Sequence, residues 1–142
     1  LGRDGRHQRR PQARAAGTAG LMPAAVRWQR AEGALVLVAC VAVLRQPWQP
    51  LEWWVCLLVF FAPDLSFAGY AAGPRIGASV YNAVHIYGFG AAILALGAMM
   101  DLPWITTLGF LWLAHAGFDR MFGYGLKLPT AFQDTHLGRI GR

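Results

Sequence analysis

Charge is scarce in this sequence and acid is scarcer still: 14% of residues are charged, and only seven of the 142 are Asp or Glu. With 56% of residues hydrophobic, that balance excludes an ordinary soluble domain, which carries roughly a quarter of its residues as charges. Cysteine is nearly missing. Cys40 and Cys56 alone cannot form a disulfide framework and read as small buried apolar side chains. Aromatic residues are absent from the arginine-rich stretch before Trp28, which argues against nucleic-acid binding despite the basic charge. No dense metal signature such as His-Glu-x-x-His is present.

What charge there is sits unevenly. Residues 1–30 hold seven arginines against one acid, Asp4, and so carry the whole formal net charge of +6. Residues 31–142 balance six basic against six acidic side chains. The first segment, 1–27, is rich in Gly, Ala, Gln and Pro and reads as a disordered, solvated tail. Because Leu1 stands where a start methionine would, and Met22 would serve as one, residues 1–21 are left out of the expected fold.

Long uncharged runs carry the fold expectation. A helix needs roughly 20 mostly apolar residues to cross a bilayer. Ile76 to Met100 gives 25 without a charge, and Leu102 to Phe118 gives 17 between Asp101 and Asp119. Trp53 to Pro74 is interrupted only by Asp64, which follows Pro63. A shorter first run, Gly33 to Leu44, is extended by Trp28 and Trp48 as interface anchors and by Arg30 and Arg45, which can snorkel. These runs predict an all-α fold, a four-helix transmembrane bundle over 28–119 with spans at about 28–46, 51–72, 76–100 and 103–119, followed by a short cytoplasmic tail, 120–142. Short links through Pro47, Pro50, Gly73, Pro74 and Pro103 make neighbours antiparallel. Alternate compartments then hold twelve basic residues against one, Arg45, which puts both ends in the cytoplasm of a bacterial inner membrane. A lipoprotein signal ending at Leu37-Val38-Ala39-Cys40 is disfavoured, since Glu32 leaves only seven apolar residues before the cysteine. The expected partners are the lipid bilayer and a further copy of the chain. Gly69, Gly73 and Gly77, at four-residue spacing, suit either close helix packing or a loop.

Ionisable groups at membrane depth cost roughly 2.5–3.5 kcal/mol on insertion scales, so each needs a partner or a wet cavity. In this topology Glu32, Asp64, Asn82, His85, His115 and Asp119 fall in one layer near the cytoplasmic face. Tyr81 and His85 are four apart, Asn82 and His85 three apart, and His115 and Asp119 four apart, so each set shares a helix face. Carboxylates with imidazoles suit a divalent metal such as zinc, iron or manganese. Asp64, His85, His115 and Asp119 are the candidate ligands, with Glu32 a candidate general base. The leading expectation has the same side chains hydrogen-bonding across helices to fix the bundle or line a small-solute path, and the alternative is a metal-dependent, hydrolase-like enzyme acting at the cytoplasmic leaflet. In the tail, Lys127, Asp134 and His136 either fold back to this layer or follow the lipid headgroups with Arg120 and Tyr124, the second being the default expectation. Asp64 is expected to point into the bundle toward His85 or His115.

Several segments together resemble a known family: Arg30-Ala31-Glu32-Gly33, Pro63-Asp64-Leu65-Ser66, Gly69-Tyr70, Ala72-Gly73-Pro74-Arg75-Ile76-Gly77, Tyr81-Asn82 with His85, Leu113-Ala114-His115 with Asp119-Arg120, and Gly123 through Pro129 to Asp134-Thr135-His136-Leu137-Gly138-Arg139. They are similar to the family catalogued as domain of unknown function 4260, over roughly residues 27–141. The resemblance implies a small bacterial membrane protein of about four spans and brings no activity, substrate or cofactor with it. A fainter likeness, to membrane-embedded metal-dependent hydrolases, rests on Pro63-Asp64 and the later histidines. Ser66 stands where those enzymes have a second acid.

Overall fold

The computed structural model describes residues 9–141, with side chains from residue 24 onward. The chain is mainly helical: α1 (Arg9–Leu44), α2 (Trp53–Phe60), a 3-10 helix (Ala62–Ala72), α3 (Pro74–His85), α4 (Tyr87–Met99) and α5 (Pro103–Phe122). A two-residue hairpin, β1 (Asp134–Thr135) and β2 (Gly138–Arg139), closes the tail. The basic stretch expected to be a disordered tail is helical from Arg9 onward, and residues 1–8 of that expectation lie outside the described residues.

Helix boundaries follow proline and glycine chemistry. Pro74 and Pro103 open α3 and α5, where a missing backbone N–H leaves no partner unsatisfied. Pro63 lies where α2 gives way to the 3-10 helix, so the expected second span is built from two helical forms. Gly123 ends α5 in the left-handed region (φ 88), and the Tyr124 N–H folds back to the Asp119 carbonyl at 2.7 Å.

The expected continuous helix over 76–100 is broken. Ile86 is extended (φ −78, ψ 142), and α3 and α4 meet there at a bend of 43°. An interrupted helix exposes carbonyls that need other donors. Trp112 Nε1 donates to the Val84 carbonyl at 2.8 Å and Arg120 donates to that of His85 at 3.2 Å, so two α5 side chains hold the break.

Helix α5 is the central member, packed between α1 and α4, while α3 lies on the 3-10 helix. Glycine sets the spacing. A Cβ added at Gly33 would lie 2.6 Å from Arg120 Cβ and 2.7 Å from the Gly117 carbonyl oxygen, so α1 and α5 touch backbone to backbone. Of the three spaced glycines, Gly69 and Gly77 allow close approach of the 3-10 helix and α3, whereas Gly73 makes the turn between them at φ 104.

Burial is inverted relative to a water-soluble domain. Besides Tyr81 and Leu111, the buried set holds small residues such as Cys40, Ala78, Ala114 and Ala116 together with His85, Thr107, His115, Asp119, Arg120 and Lys127. Helix α2 is wholly apolar, yet none of its residues is buried. Trp53 and Leu65 are 75% and 78% exposed. Among the described residues, one helical stretch, Trp53–Ala72, is long and apolar enough to cross a membrane, and the bent α3–α4 pair makes a second if it forms one span.

The α1–α5 contact yields a test. Alanine at a helical glycine gains about 1 kcal/mol of helix propensity, but at Gly33 it also overpacks the interface at about 1–3 kcal/mol. Gly33→Ala should therefore lower the melting temperature of the purified protein. Gly88→Ala, whose new methyl meets nothing closer than 3.9 Å, should hold or raise it. Equal melting temperatures for the two variants would refute this account of the interface.

Candidate functional site

The inner faces of the 3-10 helix, α3 and α5 meet around two imidazoles. His85 ends α3, His115 lies midway along α5, and both side chains are almost completely buried. Their Nε2 atoms are 3.1 Å apart. Asp64 Oδ1, from the first turn of the 3-10 helix, is 3.5 Å from His115 Nε2 and 3.7 Å from His85 Nε2. Asp119 Oδ2, one turn after His115 on α5, is 3.9 Å and 3.8 Å from the same two nitrogens.

Hydrogen bonding fixes the His85 ring. Its Nδ1 lies 2.8 Å from the Tyr81 carbonyl oxygen, which can only accept, so Nδ1 carries the proton. In the neutral ring the Nε2 lone pair then faces the cluster. This pairing of one ring nitrogen with a backbone carbonyl is the arrangement that orients metal-ligating histidines. The Tyr81 ring stacks on His85 at 3.6 Å between centroids, and its hydroxyl donates to Asp119 Oδ2 at 2.6 Å. His115 Nδ1 is buried without a hydrogen-bond partner among the described residues.

Asp64, His85 and His115 each offer one ligand atom, and these atoms lie within 4.8 Å of one another. Around a tetrahedral ion with ligands about 2.0–2.1 Å away, neighbouring donors lie about 3.4 Å apart. The separations of 3.1, 3.5 and 3.7 Å bracket that value, so two imidazoles and a carboxylate fit a divalent ion after shifts of a few tenths of an ångström.

Of the residues singled out in sequence, Asp64, Tyr81, His85, His115 and Asp119 come together, and Asp64 points inward as expected. The others do not join them. Glu32, the candidate base, lines a separate cavity of about 280 Å³ with Tyr87, Arg120 and His136. Asn82 turns to the tail: its amide donates to the Lys127 carbonyl at 2.9 Å and its oxygen accepts from the Lys127 N–H at 2.7 Å. Asp134 binds Thr130 and Arg139 within the hairpin. The tail therefore does not trail along headgroups by default; Asn82 pins it over the cluster.

Lys127, not among the candidate ligands and expected by default to follow the headgroups, takes the other course and folds back to the site. It is 4% exposed, its ammonium donates to the Phe132 carbonyl at 2.8 Å, and it lies 3.9 Å from the centre of the Phe132 ring. Burial pushes its pKa down from the usual lysine value. With Asp64, Tyr81, His115, Asp119 and a wall of aromatic side chains it lines a cavity of about 360 Å³ beside the cluster. The run Gly123–Lys127 between a helix end and a strand was the available signal, but a lysine's depth depends on where its backbone is tied.

The family described as Domain of unknown function (DUF4260) matches residues 26–140 of the chain. No curated protein and no solved structure matches it.

The tail's closure should depend on pH. His136 Nδ1 accepts the Leu126 N–H at 2.8 Å, which only the unprotonated nitrogen can do. Desolvation of the ring, and then the charge of Arg120, lower its pKa below the ordinary 6.5. A lowered folded-state value means that the unfolded chain takes up the proton first. The contribution is complete above about pH 6.5 and is lost as pH falls through the folded value. The protection factor of the Leu126 amide, its exchange corrected for the intrinsic pH dependence, should fall between pH 7 and pH 5 in the wild type, whereas that of His136→Asn should stay constant. An unchanged protection factor in the wild type would contradict this.

Proposed function

Because the chain belongs to the DUF4260 family, whose description names no activity, the reading rests on the site itself, and we propose that this is a metal-dependent membrane enzyme of hydrolase type. Asp64, His85 and His115 would hold one divalent ion at the cytoplasmic side of a four-span bundle. The observation that carries this is the convergence of two buried imidazoles and a carboxylate within 4.8 Å, with the His85 lone pair directed inward.

Membrane placement draws support from the inverted burial. A soluble domain hides Leu and Trp and solvates His, Asp and Lys; here Trp53, Leu58 and Leu65 are exposed while His85, His115, Asp119 and Lys127 are buried. With lipid as the surrounding solvent, exposed apolar helices such as α2 cost nothing and the polar centre becomes the part needing internal partners. The four spans are α1, α2 with the 3-10 helix, the bent α3–α4 pair, and α5. Helix α5 carries the polar residues because its neighbours shield it from lipid. The excess of basic residues at both ends favours a cytoplasmic location for each terminus.

Two histidines and one carboxylate suit zinc, iron(II) or manganese and leave coordination positions open. An ion so held supplies Lewis acidity and lowers the pKa of bound water. Asp119 faces the same nitrogens and is fixed by the Tyr81 hydroxyl. It is either a fourth ligand or the proton acceptor, the role that Glu32 is too remote to fill.

One observation favours a second reading. The His115–His85 separation of 3.1 Å is also a direct hydrogen bond, which would lock α5 to α3 in a structural or solute-lining protein without an ion. Metal content separates the two. Protein purified without chelator should contain about one divalent metal per chain. Asp64→Leu and His85→Gln should each weaken retention by about tenfold or more. Asp101→Asn should leave it unchanged: Asp101 is exposed but sits at φ 53, so Asn is the comparator that adds no backbone strain. Metal well below one equivalent in the wild type would sink the enzyme reading.

A further inference from the structure

The cavity beside the cluster has a polar floor, apolar walls and one buried ammonium, that of Lys127, on which Asp119 and Asp64 act through space without an ion-pair contact. Lys127 is 4% exposed, yet no carboxylate among the described residues lies within ion-pair distance of its ammonium. Of its three N–H donors, one goes to the Phe132 carbonyl. The Phe132 ring at 3.9 Å and the Tyr81 ring at 5.3 Å offer their faces to the charge. Burying an unpaired ammonium is unfavourable. Here the chain accepts that cost and fixes the position from two directions, through both backbone bonds between Lys127 and Asn82.

We propose that this cavity receives an anionic amphiphile, a lipid with a phosphate headgroup, whose charge is taken by Lys127 and whose apolar part lies against Phe67, Phe118 and Phe132. Its polar end then lies beside His115 and Asp64. The proposal rests on the metal reading above, because without a cation Asp64 and Asp119 would repel the same anion.

Three features select this class of ligand. A site holding an anion alone would gain nothing from aromatic walls, since an inorganic ion buries no apolar surface. A neutral amphiphile would leave the ammonium unpaired. The volume of about 360 Å³ falls in the range for small-ligand sites and is too small to enclose two full acyl chains. It therefore takes a headgroup and the first carbons. Phe67 and Phe132, 38% and 39% exposed, form the edge over which the chains run out into the leaflet.

Hydrolysis of such a ligand balances without a further co-reactant. Water adds to phosphorus, the bond from phosphorus to the leaving alcohol breaks, and the proton lost by the water passes through Asp119 to the departing oxygen.

The test is calorimetric titration of the full chain in detergent with dioctanoyl phosphatidic acid, dioctanoylglycerol and inorganic phosphate, alongside metal analysis of the same preparation. The phosphatidic acid should bind about 10- to 100-fold more tightly than the neutral lipid, as a charge-assisted hydrogen bond implies. Inorganic phosphate should bind at least about tenfold more weakly than the phosphatidic acid, for want of apolar contact. Lys127→Gln should abolish the preference for anion over neutral lipid, and Lys127→Arg should keep it. Equal binding of the anionic and neutral lipids, a preference surviving in Lys127→Gln, or free phosphate binding as tightly as the lipid would each overturn the proposal. If Lys127→Gln does not fold, the wild-type contrast and the retained preference of Lys127→Arg decide. Full metal content without the preference defeats this proposal alone; a preparation low in metal from the outset defeats the metal reading whatever the titration gives.

Discussion

Two imidazole nitrogens 3.1 Å apart tie α3 to α5, and much of the surrounding geometry exists to let them meet. His85 reaches that point because α3 stops there. A helix running straight on would leave no carbonyl for Arg120 to bind and would carry α4 off in another direction. The stop is stable because Trp112 and Arg120 supply the missing donors from α5, the helix that also presents His115 and Asp119. One helix thus provides half of the polar cluster and the hydrogen bonds that hold the other half in place. Its closeness to α1 and α4 follows from glycines that let backbones touch.

Such a centre is demanding. Water is not at hand to repair a missing hydrogen bond in a buried polar cluster, so each group must find its partner within the chain. Tyr81 answers for one carboxylate with its hydroxyl and for one imidazole with its carbonyl. The exception is His115 Nδ1, which has no hydrogen-bond partner among the described residues. Phe60 lies edge-on to that ring with centroids 5.3 Å apart, so the imidazole is held by shape rather than by a second hydrogen bond.

The polar centre was legible in sequence because cost made it so. Asp64, His85 and His115 stand out in apolar runs, and helical spacing links Tyr81 to His85 and His115 to Asp119. The break at Ile86 was not legible, since neither proline nor glycine occupies it and its stability comes from side chains 26 and 34 positions later. Asn82 shared a predicted face with His85 but found a stronger pair of partners in the backbone at Lys127. Lys127 itself looked like a headgroup-seeking cation, because sequence alone does not reveal which carbonyl a tail will cross. Glu32, expected in the same layer, lines a different cavity with Tyr87 and Arg120. Periodicity gives a residue its height along a bundle, and only packing gives its direction.

The Asn82–Lys127 clasp spans 45 positions and joins α3 to the segment that follows α5. During synthesis the helices can pair as they emerge, since α4 and α5 are neighbours in sequence and α1 waits only for α5. The clasp must wait for the ribosome to deliver the tail. Until then the cavity has no Lys127 and no Phe132, and the imidazoles stand uncovered on that side. The cluster is thereby covered only once residues 127 to 132 have been made, and a nascent chain halted before residue 127 would hold it open.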